Sequence, residues 1–544
     1  MARAAQIARR VGANLARGAR RTVAELVLPR QRGFWIVLRL TGPVEDLPSP
    51  LLPFAGESAT SLLDVLQTLE AAAADPQVDG VLVRLGHAPM GWSKVLSLRR
   101  ALQRVRERGK PVAAYADVLG TEGLLVASAA DRLWLPEAGQ VLLVGLRAES
   151  LYLRGLLDHL DVKADVVHIG SHKAAGDRFT RERMSPEERE QLEALVDDLF
   201  DELVDGLATG RNLEPASVRD LIDRGPYHAQ AAVDAGLADA CLYSDELEAE
   251  LEALSPIPPP ARPGPRRVRL VEASVYHSLR AADAGWRPLL AGLPHLAYVV
   301  AGGGIHRGAG PRGIACDPLR ALLERIGQTE EIRGVVLRLD SPGGDGVASD
   351  LLWRAVSVLK REKPVVVSMG DVVASGGYYI AAAADALLAE AGTVTGSIGV
   401  VGGKVNLEGI YRRLGVAKEG VERGTRAGIF SEARGFTSDE RKAVRREMAV
   451  LYGTFLDRVS RGRGITGERL DDVAQGRVWS GARARRLGLV DALGGPLEAL
   501  REAGRRAGVR EDERVVIDVH PRRTPLPGVR SLLRFTPGRF ATLP

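Results

Sequence analysis

Apolar residues in this chain fall into short unbroken runs that alternate with longer stretches of helical spacing. Gly334–Leu339 is a compact β-rich run, as a strand buried on both faces requires. Asp350–Lys360 then sets Leu351, Leu352, Ala355, Val356 and Leu359 along one side of a helix. Lys363-Pro-Val-Val-Val-Ser368 reads as the next strand, and Ser375–Ala384, small and alanine-rich, as a helix that begins at the serine. Alternation of this kind predicts an α/β fold, a mostly parallel sheet with flanking helices and right-handed crossovers.

The pattern occurs twice. Asp117-Val-Leu-Gly-Thr-Glu-Gly-Leu-Leu-Val-Ala-Ser-Ala-Ala-Asp131 returns as Asp371-Val-Val-Ala-Ser-Gly-Gly-Tyr-Tyr-Ile-Ala-Ala-Ala-Ala-Asp385, an offset of 254 residues. The offset holds without a gap through Gly145/Gly399, Leu160/Leu414, Val162/Val416 and Gly170/Gly424, and upstream it pairs Gly80–Leu85 with Gly334–Leu339. Downstream, Gly236-Leu-Ala-Asp-Ala240 matches Gly488-Leu-Val-Asp-Ala492 at an offset of 252. Such a shared register marks a tandem duplication. Between the copies, after an acidic helical run at Asp245–Leu254, lies a stretch with six prolines from Pro256 to Pro265 that suits neither helix nor central strand. The expected division is a basic segment 1–32, a first repeat 33–254, a proline-rich linker 255–267, a second repeat 268–508 and a basic tail 509–544.

Composition narrows the class. A chain of 544 residues exceeds one ordinary core, and 45% hydrophobic with 26% charged residues fits a soluble globular protein. Cys241 and Cys316 stand alone, so neither a disulfide framework nor a metal site is expected, and no cofactor. A net charge of +5 does not call for nucleic acid. Basic residues do gather at the ends. Residues 1–32 carry eight arginines against Glu25, with Ile7, Val11, Leu15, Val23, Leu26 and Leu28 at loosely helical spacing. Two readings stand, an amphipathic helix in peripheral contact with an anionic membrane or a solvated tail. No apolar run is long enough for a transmembrane anchor, and no apolar region of a signal peptide follows the Arg-Arg pairs.

The second repeat carries chemistry. Leu339-Asp-Ser-Pro-Gly-Gly344 places paired glycines just past a strand end, where α/β sheets bind ligands and where glycine lets backbone N–H groups approach a substrate. Ser375-Gly376-Gly377 follows the next strand and opens a helix, which gives a hydroxyl beside backbone donors for an oxyanion. Taken alone, such a serine is an N-cap in a tight turn. Val373 also breaks the G-x-S-x-G elbow of α/β-hydrolases. A nucleophilic serine needs a base, yet no histidine lies between His306 and His520. The first repeat offers His168-Ile-Gly-Ser-His-Lys173, with His172 and Lys173 as candidates. The chain has nine lysines among 74 basic residues, and unlike arginine a buried lysine can lose its proton near neutral pH. In the repeat alignment Ser375 matches Thr121, Lys173 matches Ala427, and Gly343-Gly344 matches Pro89-Met90. Each copy lacks what the other holds, so a Ser/Lys dyad must form between them.

Across roughly residues 34–505 the sequence resembles the long, duplicated form of bacterial signal peptide peptidase A (protease IV). The resemblance rests on D-S-P-G-G at 340–344, G-D-V-V-A-S-G-G-Y at 370–378, T-G-S-I-G-V at 395–400, K-A-A at 173–175 before R-E-R-M-S-P at 181–186, and G-R-V-W-S-G-A-R-A-R-R-L-G-L-V-D at 476–491. It implies two tandem ClpP/crotonase-like domains of repeated ββα units, and a serine endopeptidase that degrades cleaved signal peptides and other hydrophobic peptides. It also implies a bowl-shaped homotetramer, and a place at the bacterial cytoplasmic membrane, peripheral or cytoplasmic here for want of an anchor. Carried over by position, Ser375 is the nucleophile, Lys173 the general base, Ser397 the orienting second serine, and Gly343, Gly344 and Gly376 the oxyanion donors. Two alternatives are a crotonase-like acyl-CoA enzyme, which needs no serine nucleophile, and a non-catalytic oligomeric scaffold, which needs none of these residues.

Overall fold

A computed structural model describes residues 33–47, 60–255, 268–284, 293–510 and 513–521. The basic segment 1–32, most of the proline-rich stretch and the end of the tail lie outside them. Among the described residues no helix is long and apolar enough to cross a membrane.

The first repeat runs through β1 (Phe34–Leu40), α1 (Leu62–Ala74), β2 (Val78–Leu85), α2 (Trp92–Glu107), β3 (Val112–Ala116), α3 (Thr121–Ala127), β4 (Arg132–Leu135), β5 (Lys163–Ile169), α4 (Pro186–Arg211), β6 (Ala240–Cys241) and α5 (Leu247–Leu254). Beyond the proline-rich stretch come β7 (Leu270–Glu272) and α6 (Ala273–Ala284). Six of these strands form an all-parallel sheet in the order β6-β4-β3-β2-β1-β7. Their near-continuous burial explains the unbroken apolar runs, because helices cover both faces of a parallel sheet.

The second repeat follows the same plan with β8 (His295–Gly302), α7 (Cys316–Gln328), β9 (Ile332–Ser341), α8 (Gly346–Leu359), β10 (Val365–Ala374), α9 (Gly376–Ala381), β11 (Ala386–Ala389), β12 (Val394–Gly396), β13 (Val400–Asn406), α10 (Ser438–Arg463), β14 (Val478–Ser480), β15 (Ala492–Leu493), α11 (Pro496–Arg506) and β16 (Val516–His520). Its eight-stranded sheet has the path β14-β12-β10-β9-β8-β16, with β11 also paired to β10 and β15 paired to β11, and is parallel except where β14 joins β12.

Four expectations shift. The proline-rich stretch does not part the two sheets, because β7 emerges from it and pairs with β1, which carries the first repeat's sheet past residue 267. Likewise β16, inside the expected basic tail, pairs with β8. Helix α8 starts four residues early, at an Asp345 cap, and buries Ala348, Ser349, Leu352, Val356 and Leu359 while Leu351 faces solvent. Helix α9 stops at Ala381.

The halves share one core. Alternate residues of β8 point to opposite sides. Ala297, Val299 and Ala301 face a cluster confined to the second repeat, whereas Leu296 and Tyr298 join a cluster that includes Leu69 and Leu98 of α1 and α2. The first repeat's helices thus pack on the second sheet. A further bridge is a two-stranded antiparallel ribbon of β5 from the first repeat and β13 from the second, in register from Lys163 opposite Asn406 to Ile169 opposite Val400.

Candidate functional site

The ribbon delivers one half's lysine to the other half's serine. Beyond Ile169 the chain turns at Gly170 (φ 106°), where a Cβ would lie 2.6 Å from the Gln475 backbone. The His172 N–H donates to the Gln475 carbonyl (2.8 Å), and Lys173 follows with 5% of its surface exposed. Its stem runs between two glycines. A Cβ on Gly476 would sit 2.6 Å from Lys173 Cβ, and one on Gly399 would sit 3.1 Å from its Cδ. Lys173 Nζ lies 3.0 Å from Ser375 Oγ, 2.9 Å from Ser397 Oγ and 2.8 Å from the Ser397 carbonyl.

No carboxylate is paired with this amine among the described residues. Burial alone lowers its pKa, from 10.5 to about 8. Desolvation penalises the ammonium form, and a carboxylate neighbour would have cancelled that effect. A useful fraction of neutral amine therefore exists near pH 7 to 8, and a neutral amine 3.0 Å from a hydroxyl can take its proton.

Ser375 sits between β10 and α9 in a backbone conformation that L-residues avoid, φ 52° and ψ −119°. Its N–H donates to the Gly396 carbonyl (2.9 Å) and its carbonyl accepts from Tyr379 N–H (2.9 Å), which fixes the kink from both sides. Its side chain makes no capping bond to α9 and instead faces Lys173. Ser397 shares the unusual conformation (φ 54°).

The glycines fall into two kinds. Gly343 (φ 108°) lies against the serine, since a Cβ there would be 2.8 Å from Ser375 Cβ, but its N–H donates to the buried Ser341 hydroxyl at 3.2 Å. Gly344 (φ 155°) is pressed on Ile305, and a Cβ on Gly376 would lie 3.3 Å from the Gly344 nitrogen. The N–H groups of Gly344 and Gly376 have no acceptor among the described residues. The available pair of donors is thus narrower than the three glycines expected.

His172, the other candidate base, faces away from Ser375. Its Nε2 lies 2.8 Å from Arg477 Nη2, and its Nδ1 lies 2.9 Å from Ser171 Oγ. Sequence reasoning missed several residues that hold the site. Besides Gly399, Gly476 and Ser341, Asp340 accepts N–H bonds from Asp371 (3.3 Å) and Val372 (3.2 Å) where β9 and β10 slip register, just before Ser375. Lys94 of α2 is ion-paired with Asp371 and lies 3.8 Å from Asp340. The signal was available, because Lys94 is another rare lysine and aligns with Ala348, while Asp340 aligns with Gly86.

Comparison with known proteins identifies the family. The model of peptidase family S49 matches twice, at residues 104–257 and 357–510. The first match contains Lys173 and the second contains Ser375 and Ser397. The chain is 30% identical over 508 residues to the chloroplastic serine protease SPPA of Arabidopsis thaliana, which spans 92% of this chain and 73% of that protein. It is 29% identical to Protease 4 of Salmonella typhi (84% of this chain, 75% of that one) and 28% identical to Protease 4 of Haemophilus influenzae (84% and 74%).

Proposed function

The chain belongs to peptidase family S49 and is a serine peptidase, and from that premise we propose that it cleaves peptides with Ser375 as nucleophile and Lys173 as general base. One observation carries the reading: an amine with no carboxylate partner among the described residues, and nearly buried, lies 3.0 Å from a hydroxyl that has been spared from capping duty. The family also sets aside the acyl-CoA and scaffold alternatives.

The steps balance without a cofactor. Neutral Lys173 takes the Ser375 proton as Oγ bonds to the peptide carbonyl carbon, and the carbonyl electrons move to oxygen. The Gly344 and Gly376 N–H groups receive that oxyanion. On collapse the C–N bond breaks and the leaving amine takes the proton from Lys173. Water then gives a proton to Lys173 and attacks the ester, and Ser375 recovers the proton as it departs. Ser397 holds the amine in line through its hydroxyl and carbonyl. Substrates are hydrophobic peptides, remnants of signal peptides among them, bound extended near β12 and β10; the resemblance to signal peptide peptidase A supports this, and peripheral contact of the basic end segments with an anionic membrane surface belongs to the same proposal.

Self-association belongs to the same reading. Shifted by the repeat offset, β5 corresponds to residues 417–423 and β13 to residues 146–152. Neither segment makes a backbone–backbone hydrogen bond among the described residues, and residues 416–424 are all exposed. A second copy completes them. The β5–β13 register, carried over, sets Arg147 opposite Glu422 and Ala148 opposite Val421, as Asp165 stands opposite Lys404 within the chain. Such a head-to-tail contact closes into a ring, for which we favour four copies. Light scattering checks it: Glu422→Arg should dissociate the ring and Arg147→Glu in the same chain should restore it.

A serine-directed phosphonate tests the chemistry. Wild type should label at Ser375, Ser375→Ala should not label, and Lys173→Ala should label at least about 100-fold more slowly. Labelling of Lys173→Ala at the wild-type rate would remove the assigned base.

A further inference from the structure

We propose that Arg477 is a positioning residue for the Lys173–Ser397–Ser375 array, and that it acts by gripping the neutral His172 ring. The inference rests on the reading of Lys173 as base. Residues 475–478 form a saddle between the repeats. On one side the His172 N–H donates to the Gln475 carbonyl (2.8 Å), and Gln475 holds a left-handed conformation (φ 56°) to present it. On the other side the Ser397 N–H donates to the Arg477 carbonyl (2.7 Å). Gln191 of α4 fastens both layers, since its Nε2 donates to the His172 carbonyl (3.2 Å) and its Oε1 accepts from Val478 N–H (3.2 Å).

Arg477 is the one residue of the saddle that touches both Ser397, a partner of the amine, and His172, the neighbour of the lysine in the chain. Its carbonyl sets Ser397, and its Nη2 donates to His172 Nε2 (2.8 Å) and to Glu190 Oε1 (2.6 Å). The residue after His172 is Lys173, so a shift of the ring shifts the base. An offset of 252 aligns Arg477 with Gly225 of the first repeat, where no lysine needs aiming.

The grip depends on protonation. Arginine only donates, so His172 must offer a bare Nε2 and carry its proton on Nδ1, toward Ser171 Oγ (2.9 Å). The groups that face this ring are Arg477 from the second repeat, Glu187 and Glu190 from α4, and Ser171 on its own loop. Burial and the Arg477 charge hold the imidazole below its ordinary 6.5. A second proton would set two cations together and swing the ring toward Glu190 Oε2, 3.9 Å away, which releases Arg477.

The pH profile of kcat/KM on a fluorogenic hydrophobic peptide, with the full chain, separates this from mere structural support. Wild type should fall tenfold per pH unit as Lys173 gains its proton, then more steeply, up to a hundredfold per unit, across the one to two units in which His172 gains its own. His172→Gln keeps an acceptor for Arg477 that cannot titrate. It should lose about 3- to 10-fold at pH 8, yet fall only tenfold per unit throughout. Arg477→Gln should lose about 10- to 100-fold in kcat with KM changed less than about twofold, and should likewise lack the steeper limb. A steep acid limb that survives in His172→Gln overturns the proposal, as does an Arg477→Gln enzyme with wild-type kcat. If Arg477→Gln does not fold, the His172→Gln profile decides alone. Activity in Lys173→Met would instead overturn the dyad on which this rests.

Discussion

The two repeats have the same scaffold and opposite backbones at the positions that matter. Ser375 and Ser397 sit at φ 52° and 54°, whereas their counterparts Thr121 and Leu143 are not among the non-glycine residues with positive φ. Thr121 simply opens α3 behind Gly120, and Leu143 is fully buried. Gly343 and Gly344 take φ values of 108° and 155°, and the first repeat has Pro89-Met90 there. Lys173 is matched by Ala427. Strained conformations cost on the order of 1–3 kcal/mol each and persist only where surrounding structure enforces them. The first repeat has relaxed at these places and kept only what it supplies across the interface, Lys173 and the buttress of Lys94 on Asp371. Division of labour, rather than decay, describes the pair.

The hardest way to break that comparison is to exchange roles. Ser375→Ala should lower kcat/KM by about 10^4-fold or more, and Thr121→Ala at the matching place should leave it within about twofold. Comparable losses from both would mean that the first repeat also does chemistry. Next in size is the glycine pair. Replacing Gly343-Gly344 by the first repeat's Pro-Met should push the Gly344 N–H off the oxyanion position, because a side chain there meets the Ile305 backbone, and lower kcat by about 10^2- to 10^3-fold. Circular dichroism and the melting temperature would show whether the fold survives, and Gly344→Ala, whose Cβ would meet the Ile305 carbonyl at 2.1 Å, gives the smaller version. Ser397→Ala should cost about 10-fold, because the Ser397 carbonyl still holds the amine after the hydroxyl is gone. A loss as large as that of Ser375→Ala would make Ser397 more than an orienting group.

How much of this could be read from the sequence follows from which interactions are local. Parallel strands announce themselves because both faces are buried, so Gly334–Leu339 and its copy at Gly80–Leu85 stood out. The missing partners, Thr121 for Ser375 and Ala427 for Lys173, pointed to a shared site because residue type alone carries that information. Conformation does not show in residue type. Nothing in the letters says that Ser375 adopts a positive φ, or that the Gly343 N–H is occupied by Ser341 while the Gly344 N–H is not. The saddle was hidden for a similar reason. Arg477 and His172 lie 305 residues apart, and although each lies in a motif the sequence singles out, nothing in either motif says that the two side chains meet. Pairing of β7 with β1 escaped notice because three residues beyond a proline-rich stretch carry almost no pattern.

The smallest effect is also the one whose sign is least expected. Lys173→Met, which abolishes the proposed base, should make the folded protein more stable at pH 7. The amine's pKa is about 8 in the folded chain against 10.5 for an ordinary lysine. A folded-state value below the unfolded one means that the native state binds its proton more weakly. Below pH 8 the lysine is charged in both states, and folding bears the full cost of burying that charge, about 3 kcal/mol for such a shift. Between pH 8 and 10.5 the cost disappears, because the proton leaves the unfolded chain as well. Methionine fills a similar volume without charge but leaves the Ser375 hydroxyl, the Ser397 hydroxyl and the Ser397 carbonyl without the amine, a loss of about 0.5–1 kcal/mol for each bond. The balance at pH 7 is a gain of about 0.5–2 kcal/mol, seen as a melting temperature up to a few degrees higher, and at pH 10 it should reverse into a loss of about 1–2 kcal/mol. A gain that stays the same from pH 7 to pH 10 would show that the amine is not held in its neutral form by burial, and the first repeat's lysine would then be a tether for the interface rather than its base.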